Sequence, residues 1–432
     1  MISRRDVILS TLFGTGYVGL RALATGLPAS LLLRPREALA DPACAAPDKA
    51  QYVIFNTSGA GDPINANVPG TYEDPNITHS ADATMAPTPL TMRGRTFTAA
   101  APWATLPQAA LDRTVFWHLM TNTPVHPKEP QVLELMGATP AGEMLPSLLA
   151  KQLAPCLGSI QPQPISVGAL TPSEALSYGG AALPVVPALA LKATLTNPAG
   201  PLTTLQPLRD QTLAQIYDVY RNGATPAQRR YIDSLVTSQQ QVRNISQDLL
   251  SALSSIKDNS AASQIVAAIA LIQMNVSPVV AVHIPFGGDN HRDIALATES
   301  AQTVSGVASI ASLLQQLSSA GLADKVSFVS LNVFGRTIGP GNTDGRQHNP
   351  NHQVSITIGK PFQGGVIGGV GPVAPDYGAT AIDSKTGAPG GDVAAIDTLA
   401  AFGQTLLAAV GGDPSAITSP SGSGKVIAAA LA

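Results

Sequence analysis

Charge is scarce in this sequence: only 12% of its residues are Asp, Glu, Lys or Arg, and the net charge is -3. With no clustered Lys/Arg stripe after the first forty residues, the chain lacks the electrostatic footprint of a nucleic-acid-binding protein. Aromatic residues are just as sparse, at 4%, which argues against a sugar-stacking surface. Only two cysteines occur, Cys44 and Cys156. They allow one disulfide that fastens the start of a mature chain, or two unpaired thiols, and sequence does not give the separation that would choose.

What is abundant is apolar and small. The chain is 44% hydrophobic and holds 39 Gly and 36 Pro in 432 residues, enough for one large domain or two ordinary ones with long loops. Its start stands apart. Arg4 and Arg5 precede an apolar stretch from Val7 to Leu33 that ends at Ala38-Leu39-Ala40. This is the layout of a twin-arginine export signal, and Arg21 weakens the alternative of a membrane anchor. The expectation is a periplasmic or secreted protein that engages the twin-arginine export machinery and keeps no stable membrane span after cleavage. That route carries folded proteins, often with a metal or cofactor inserted.

Short β-branched and aromatic runs recur at Gln51 to Asn56, Thr114 to Met120, Val279 to Ile284, Val326 to Phe334 and Gln353 to Ile358. Between the third and fourth, Val304, Val307, Ile310, Leu313, Leu314 and Leu317 repeat at helical spacing. Strand, helix, strand in this order predicts an α/β fold, a mostly parallel sheet flanked by helices. Residues 161–275 break the alternation with a Pro-rich opening and helical patterns, including a capped start at Thr225-Pro226 and an apolar stripe of Ile232, Leu235, Val236, Val242, Ile245, Leu249 and Leu253. The division is then a signal peptide over 1–40, α/β core over 41–160 and 276–432, and a helical insertion or lid between. Two glycine-rich stretches fail on context. Gly364 to Gly371 runs into Pro372 rather than opening a helix, and the segment near Lys425 lacks the spacing and the Ser or Thr of a phosphate loop.

Ligands of open parallel sheets bind beyond the carboxyl ends of the strands. The successive runs end in loops carrying Asp62, then Thr121, Thr123 and His126, then Asp289 and His291, then Asp344, His348 and His352. Each has an ordinary alternative. Asp62 can cap a turn, Asp289-Asn290-His291 can cap the next helix, and the histidines can be solvated. Together, carboxylates and imidazoles on converging loops form a ligand set for a divalent ion such as Zn, Mn, Ca or Fe.

The Arg4-Arg5 start, Gly287 to His291, Phe334-Gly335-Arg336-Thr337, Gly345-Arg346-Gln347-His348-Asn349-Pro350 and Gly359 to Gly365 resemble the exported proteins of the domain of unknown function 1501 family. That family is similar in fold to alkaline phosphatases and sulfatases. The resemblance implies one or two divalent metals on Asp62, Asp289, His291 and His348, with Asp344 and His352 as further candidates from chemistry. It also implies an ester of phosphate or sulfate as small anionic substrate, with Arg336 facing the anion. Thr123 or Thr121 is the candidate nucleophile. The chain departs from the family pattern where Asn332-Val333 replaces a Ser-Glu pair and Gln347 replaces an acid. Each change removes a carboxylate that would hold two dications together, which leaves a second expectation: a non-catalytic relative that binds a partner or serves envelope assembly.

Overall fold

The β-branched runs pair into one central sheet. A computed structural model describes residues 49–157, 159–168, 176–196, 206–226, 228–229, 233 and 247–432. The sheet strands are β1 (Tyr52–Ser58), β2 (Thr114–Leu119), β3 (Ile165–Ser166), β4 (Val279–Val282), β5 (Val326–Asn332), β6 (Gln353–Ile358) and β7 (Gly365–Ile367), in the spatial order β7-β2-β6-β5-β1-β4-β3. Strand β1 runs parallel to β4 and β5, β3 to β4, and β7 to β2. Only β6 is reversed, antiparallel to both β2 and β5. The fold is therefore α/β with a mostly parallel sheet. Strands β1, β2, β4 and β5 end at one edge, and the reversed β6 begins there, with Gln353 opposite Leu119.

Both faces of the sheet are buried, as near-continuous apolar strands require. Ile54, Phe116, Val280, Val282 and Phe328 face one core with α2 (Ala261–Gln273) and α3 (Ala297–Ser319). Val53, Phe55, Trp117 and Leu331 face a second core with α1 (Leu145–Leu157) and α4 (Thr398–Ala409). The segment read as an insertion supplies β3 and α2 to this scaffold, and Leu191, Leu249 and Leu253 from its shorter helices are buried in the first core. Thr225 and Gln228 form the expected reciprocal cap, Thr225 N–H donating to Gln228 Oε1 at 2.9 Å. Ile232, Leu235, Val236, Val242, Ile245, Cys44 and the export-signal stretch lie outside the described residues. Cys156 is disulfide-bonded. No helix among the described residues is long and apolar enough to cross a membrane.

Helix α3 approaches the site loops closely at Gly306, where an added Cβ would stand 2.6 Å from Phe286 Cε1. Helix propensity alone favours Ala over Gly by about 1 kcal/mol. Here overpacking decides the sign, so Gly306→Ala should lower unfolding free energy by about 1–3 kcal/mol in urea denaturation.

Candidate metal centre

Four side chains from three loops meet at the carboxyl edge: His126 after β2, Asp289 and His291 after β4, and His348 between β5 and β6. One ligand atom from each lies within 4.8 Å of all the others. His291 Nε2 is 2.8 Å from His348 Nε2 and 3.2 Å from Asp289 Oδ1, while His126 Nε2 is 3.5 Å from Asp289 Oδ2. These separations bracket the ligand–ligand spacing of roughly 3.3 Å around a tetrahedral ion with bonds of about 2.0–2.1 Å. The group can hold a metal ion, and its side chains are partly open to solvent, from 23% for His348 to 48% for Asp289.

Hydrogen bonds fix which ring nitrogens are available. His126 Nδ1 lies 2.8 Å from the Gly59 carbonyl and His348 Nδ1 lies 2.6 Å from the Pro124 carbonyl. A carbonyl only accepts, so both Nδ1 atoms carry the proton and both Nε2 lone pairs are turned to the cluster. The same outer bond orients many metal-ligating histidines. Two lone pairs and a carboxylate facing one another repel unless a cation, metal or proton, stands between them. Burial lowers the His348 pKa and the Arg336 charge adds to this, while the Pro124 bond opposes, so this ring favours its neutral, ligating form. Burial pushes the Asp289 carboxyl upward, but the Arg336 hydrogen bond and charge, with His126 and His291, together hold it below its ordinary value.

Arg336, expected to face an anion, is instead fully buried. It donates from Nη2 to Asp289 Oδ1 at 2.8 Å and to the Ala60 carbonyl at 2.7 Å, and from Nε to the Gly61 carbonyl at 2.5 Å. One guanidinium thereby ties the β1 loop to the carboxylate of the cluster. Phe334 forms the apolar floor, its ring centroid 4.3 Å from that of His348 and 4.9 Å from that of His126. The backbone of Gly61, at φ 64°, passes so close that an added Cβ would fall 2.1 Å from Phe334 Cε2.

The other candidates lie elsewhere. Asp62 is buried and its Oδ1 accepts from the main-chain N–H groups of Phe286 and Gly288, shaping the loop that presents Asp289. Asp344 is exposed and accepts from Ala295 N–H at 3.0 Å. His352 is fully buried in a chain of neutral groups: Asn65 Nδ2 is 3.2 Å from its Nδ1, and its Nε2 is 2.8 Å from His118 Nδ1, whose Nε2 donates to the Pro69 carbonyl. Both of its nitrogens are thus engaged. Thr123 is 5% exposed in the loop that carries His126, and the buried Thr121 hydroxyl has no hydrogen-bond partner. The structure gathers Asp289, His291 and His348, and adds His126. That residue stood at a strand end in the sequence, but no spacing signal linked it to the distant Asp289-Asn290-His291.

A second buried arginine anchors the loop carrying His348. Arg346 makes a two-pronged bond to Glu299 of α3, at 2.7 and 3.1 Å, with both side chains inaccessible. Asn290, between two of the ligands, donates to the same carboxylate at 3.1 Å. Comparison of the chain with protein-family models, with curated proteins and with solved structures finds no match.

The histidine chain beneath the site predicts a pH dependence. Burial lowers the His118 pKa to about 4, against the opposing Pro69 bond, and burial with the His118 charge holds His352 well below its ordinary value. The unfolded imidazoles titrate at about 6.5. Above that pH the contribution is whole. As pH falls from there toward 4 the unfolded chain takes up protons that the folded one refuses, and stability is lost. His118 alone accounts for about 3 kcal/mol. Urea denaturation across this range should therefore show a flatter pH slope for His118→Gln than for the wild type.

Proposed function

We propose that His126, Asp289, His291 and His348 hold a single divalent metal ion and that the loaded protein hydrolyses phosphate or sulfate esters. The observation that carries the reading is the paired outward bond of His126 and His348, which turns both Nε2 lone pairs toward one carboxylate. Three imidazoles and one carboxylate suit zinc, manganese or iron better than calcium, which prefers oxygen. A bound ion would supply Lewis-acid polarisation of an ester oxygen. The protein's own part is positioning: Arg336 fixes Asp289, the Gly59 and Pro124 carbonyls fix the rings, and Phe334 backs them. The sequence resemblance to the domain of unknown function 1501 family is in keeping with the same reading, since two of the stretches that carry it, Phe334-Gly335-Arg336 and Arg346-Gln347-His348, would supply the floor, the clamp and one ligand. Export by the twin-arginine route would fit a protein folded around its metal.

Mass spectrometry of protein purified without chelator should find about one metal ion per chain, lost in the Asp289→Ala, His291→Ala double variant. The metal-loaded protein should turn over an aryl phosphate or aryl sulfate, and Thr123→Ala separates the nucleophiles: a lost kcat assigns the hydroxyl, a retained one assigns water. A loaded but inert protein would favour the non-catalytic binding role that the lost carboxylates suggest.

A further inference from the structure

Arg336 lies on a short ladder with one of the ligands. Gly335–Arg336 pairs antiparallel with His348–Asn349, and Arg336 is directly opposite His348. The ladder's hydrogen bond falls one residue on, where Thr337 N–H donates to the Gln347 carbonyl at 2.9 Å. In such a pair the main-chain groups of the neighbouring residue turn outward, away from the partner strand. Arg336 is fully buried, so its N–H and carbonyl must be met by something other than water.

Asn65 meets both. It stands in the turn Pro63–Ala66 and is itself wholly buried. Its Oδ1 accepts from Arg336 N–H at 2.9 Å, and its Nδ2 donates to the Arg336 carbonyl at 2.8 Å. One side chain thus takes the place of a third strand. These contacts also fix which way the amide points, because turned over it would set carbonyl against carbonyl and N–H against N–H. The second Nδ2 proton then faces His352, 3.2 Å from its Nδ1 and 3.4 Å from its carbonyl. With Nδ1 accepting, the neutral His352 ring carries its proton on Nε2 and donates to His118 Nδ1 at 2.8 Å, and His118 donates from Nε2 to the Pro69 carbonyl at 2.9 Å.

We propose that Asn65 is a positioning residue of the metal site, acting through Arg336. The Arg336 guanidinium holds Asp289 and its backbone lies beside that of His348, so two of the four ligands stand where Asn65 sets this one residue. The proposal rests on the metal reading above and extends it inward, to an amide that touches no ligand side chain but whose orientation orders the buried histidine pair as well.

The test titrates the whole protein with cobalt(II), whose visible absorption reports ligand geometry without turnover. Asn65→Ser takes away the reach to Arg336 while leaving a polar group and room for water, which favours a folded variant. Its cobalt affinity should fall roughly tenfold, as is common for outer contacts of a metal site, and its absorption band should move. A loss of stability alone would leave the band of the bound ion in place. Action through Arg336 also requires non-additivity: once Arg336→Lys has weakened the clamp, adding Asn65→Ser should cost little more. Unchanged affinity and band in Asn65→Ser, or losses that simply add in the double variant, overturn the proposal. A further measurement needs no variant. Nitrogen NMR of wild-type protein labelled at histidine should find Nε2–H tautomers at His118 and His352; an Nδ1–H tautomer at His352 overturns the amide's orientation and with it the grip on Arg336. Wild-type protein that binds no cobalt defeats the metal reading itself and removes the proposal's basis with it, an outcome distinct from a wild type and a variant that bind equally well.

Discussion

The site depends on one buried guanidinium. Arg336 reaches from the strand-end loop after β5 into the loop after β1, at the Ala60 and Gly61 carbonyls, and to Asp289 after β4. An arginine without water must be matched by acceptors, because an uncompensated buried charge costs more than a fold can absorb. The acceptors it finds are main-chain carbonyls that loops leave free. Satisfying the cation and fixing the three loops are therefore one event, and the carboxylate left at its tip is the one that faces three imidazoles.

A second layer of constraint explains why these loops do not drift apart. Arg346 and Glu299 close the His348 loop onto α3, and Asn67 and Asn290 donate to the same carboxylate. Breaking such a pair leaves a stranded charge at about 3–5 kcal/mol, whereas replacing both partners with apolar groups can be neutral. The pair thus specifies geometry more than it adds stability. The histidine chain from Asn65 through His352 to His118 does the same below, with every proton assigned and both rings neutral.

The scaffold was legible because its strands are apolar on both faces: Val53 to Phe55, Val115 to Trp117, Val279 to Val282 and Val326 to Leu331 read as strands at once. The reversal of β6 was not legible, since Gln353 to Ile358 carries no mark of direction. Strand β3 has only two residues, too few for any pattern. At the site, residue type and strand-end position found Asp289, His291 and His348. They did not separate ligands from loop-builders, because Asp62 and Asp344 are the same acids in the same Gly-rich context and differ only in finding main-chain N–H groups first. The full burial of Arg336 and His352 could not be read from the sequence, because burial at a loop is set by what folds over it.

The charge balance also argues for the number of ions. Two dications about 4 Å apart repel by about 16 kcal/mol even at an effective dielectric constant near 20, and sites that hold two offset this with several carboxylates. Here the ligand group has one. Glu299 is committed to Arg346, Asp62 accepts two main-chain N–H groups, and Asp344 is held by Ala295. Val333 and Gln347, which directly precede Phe334 and His348, are neutral and add no carboxylate. A single ion, in contrast, requires no more negative charge than Asp289 offers.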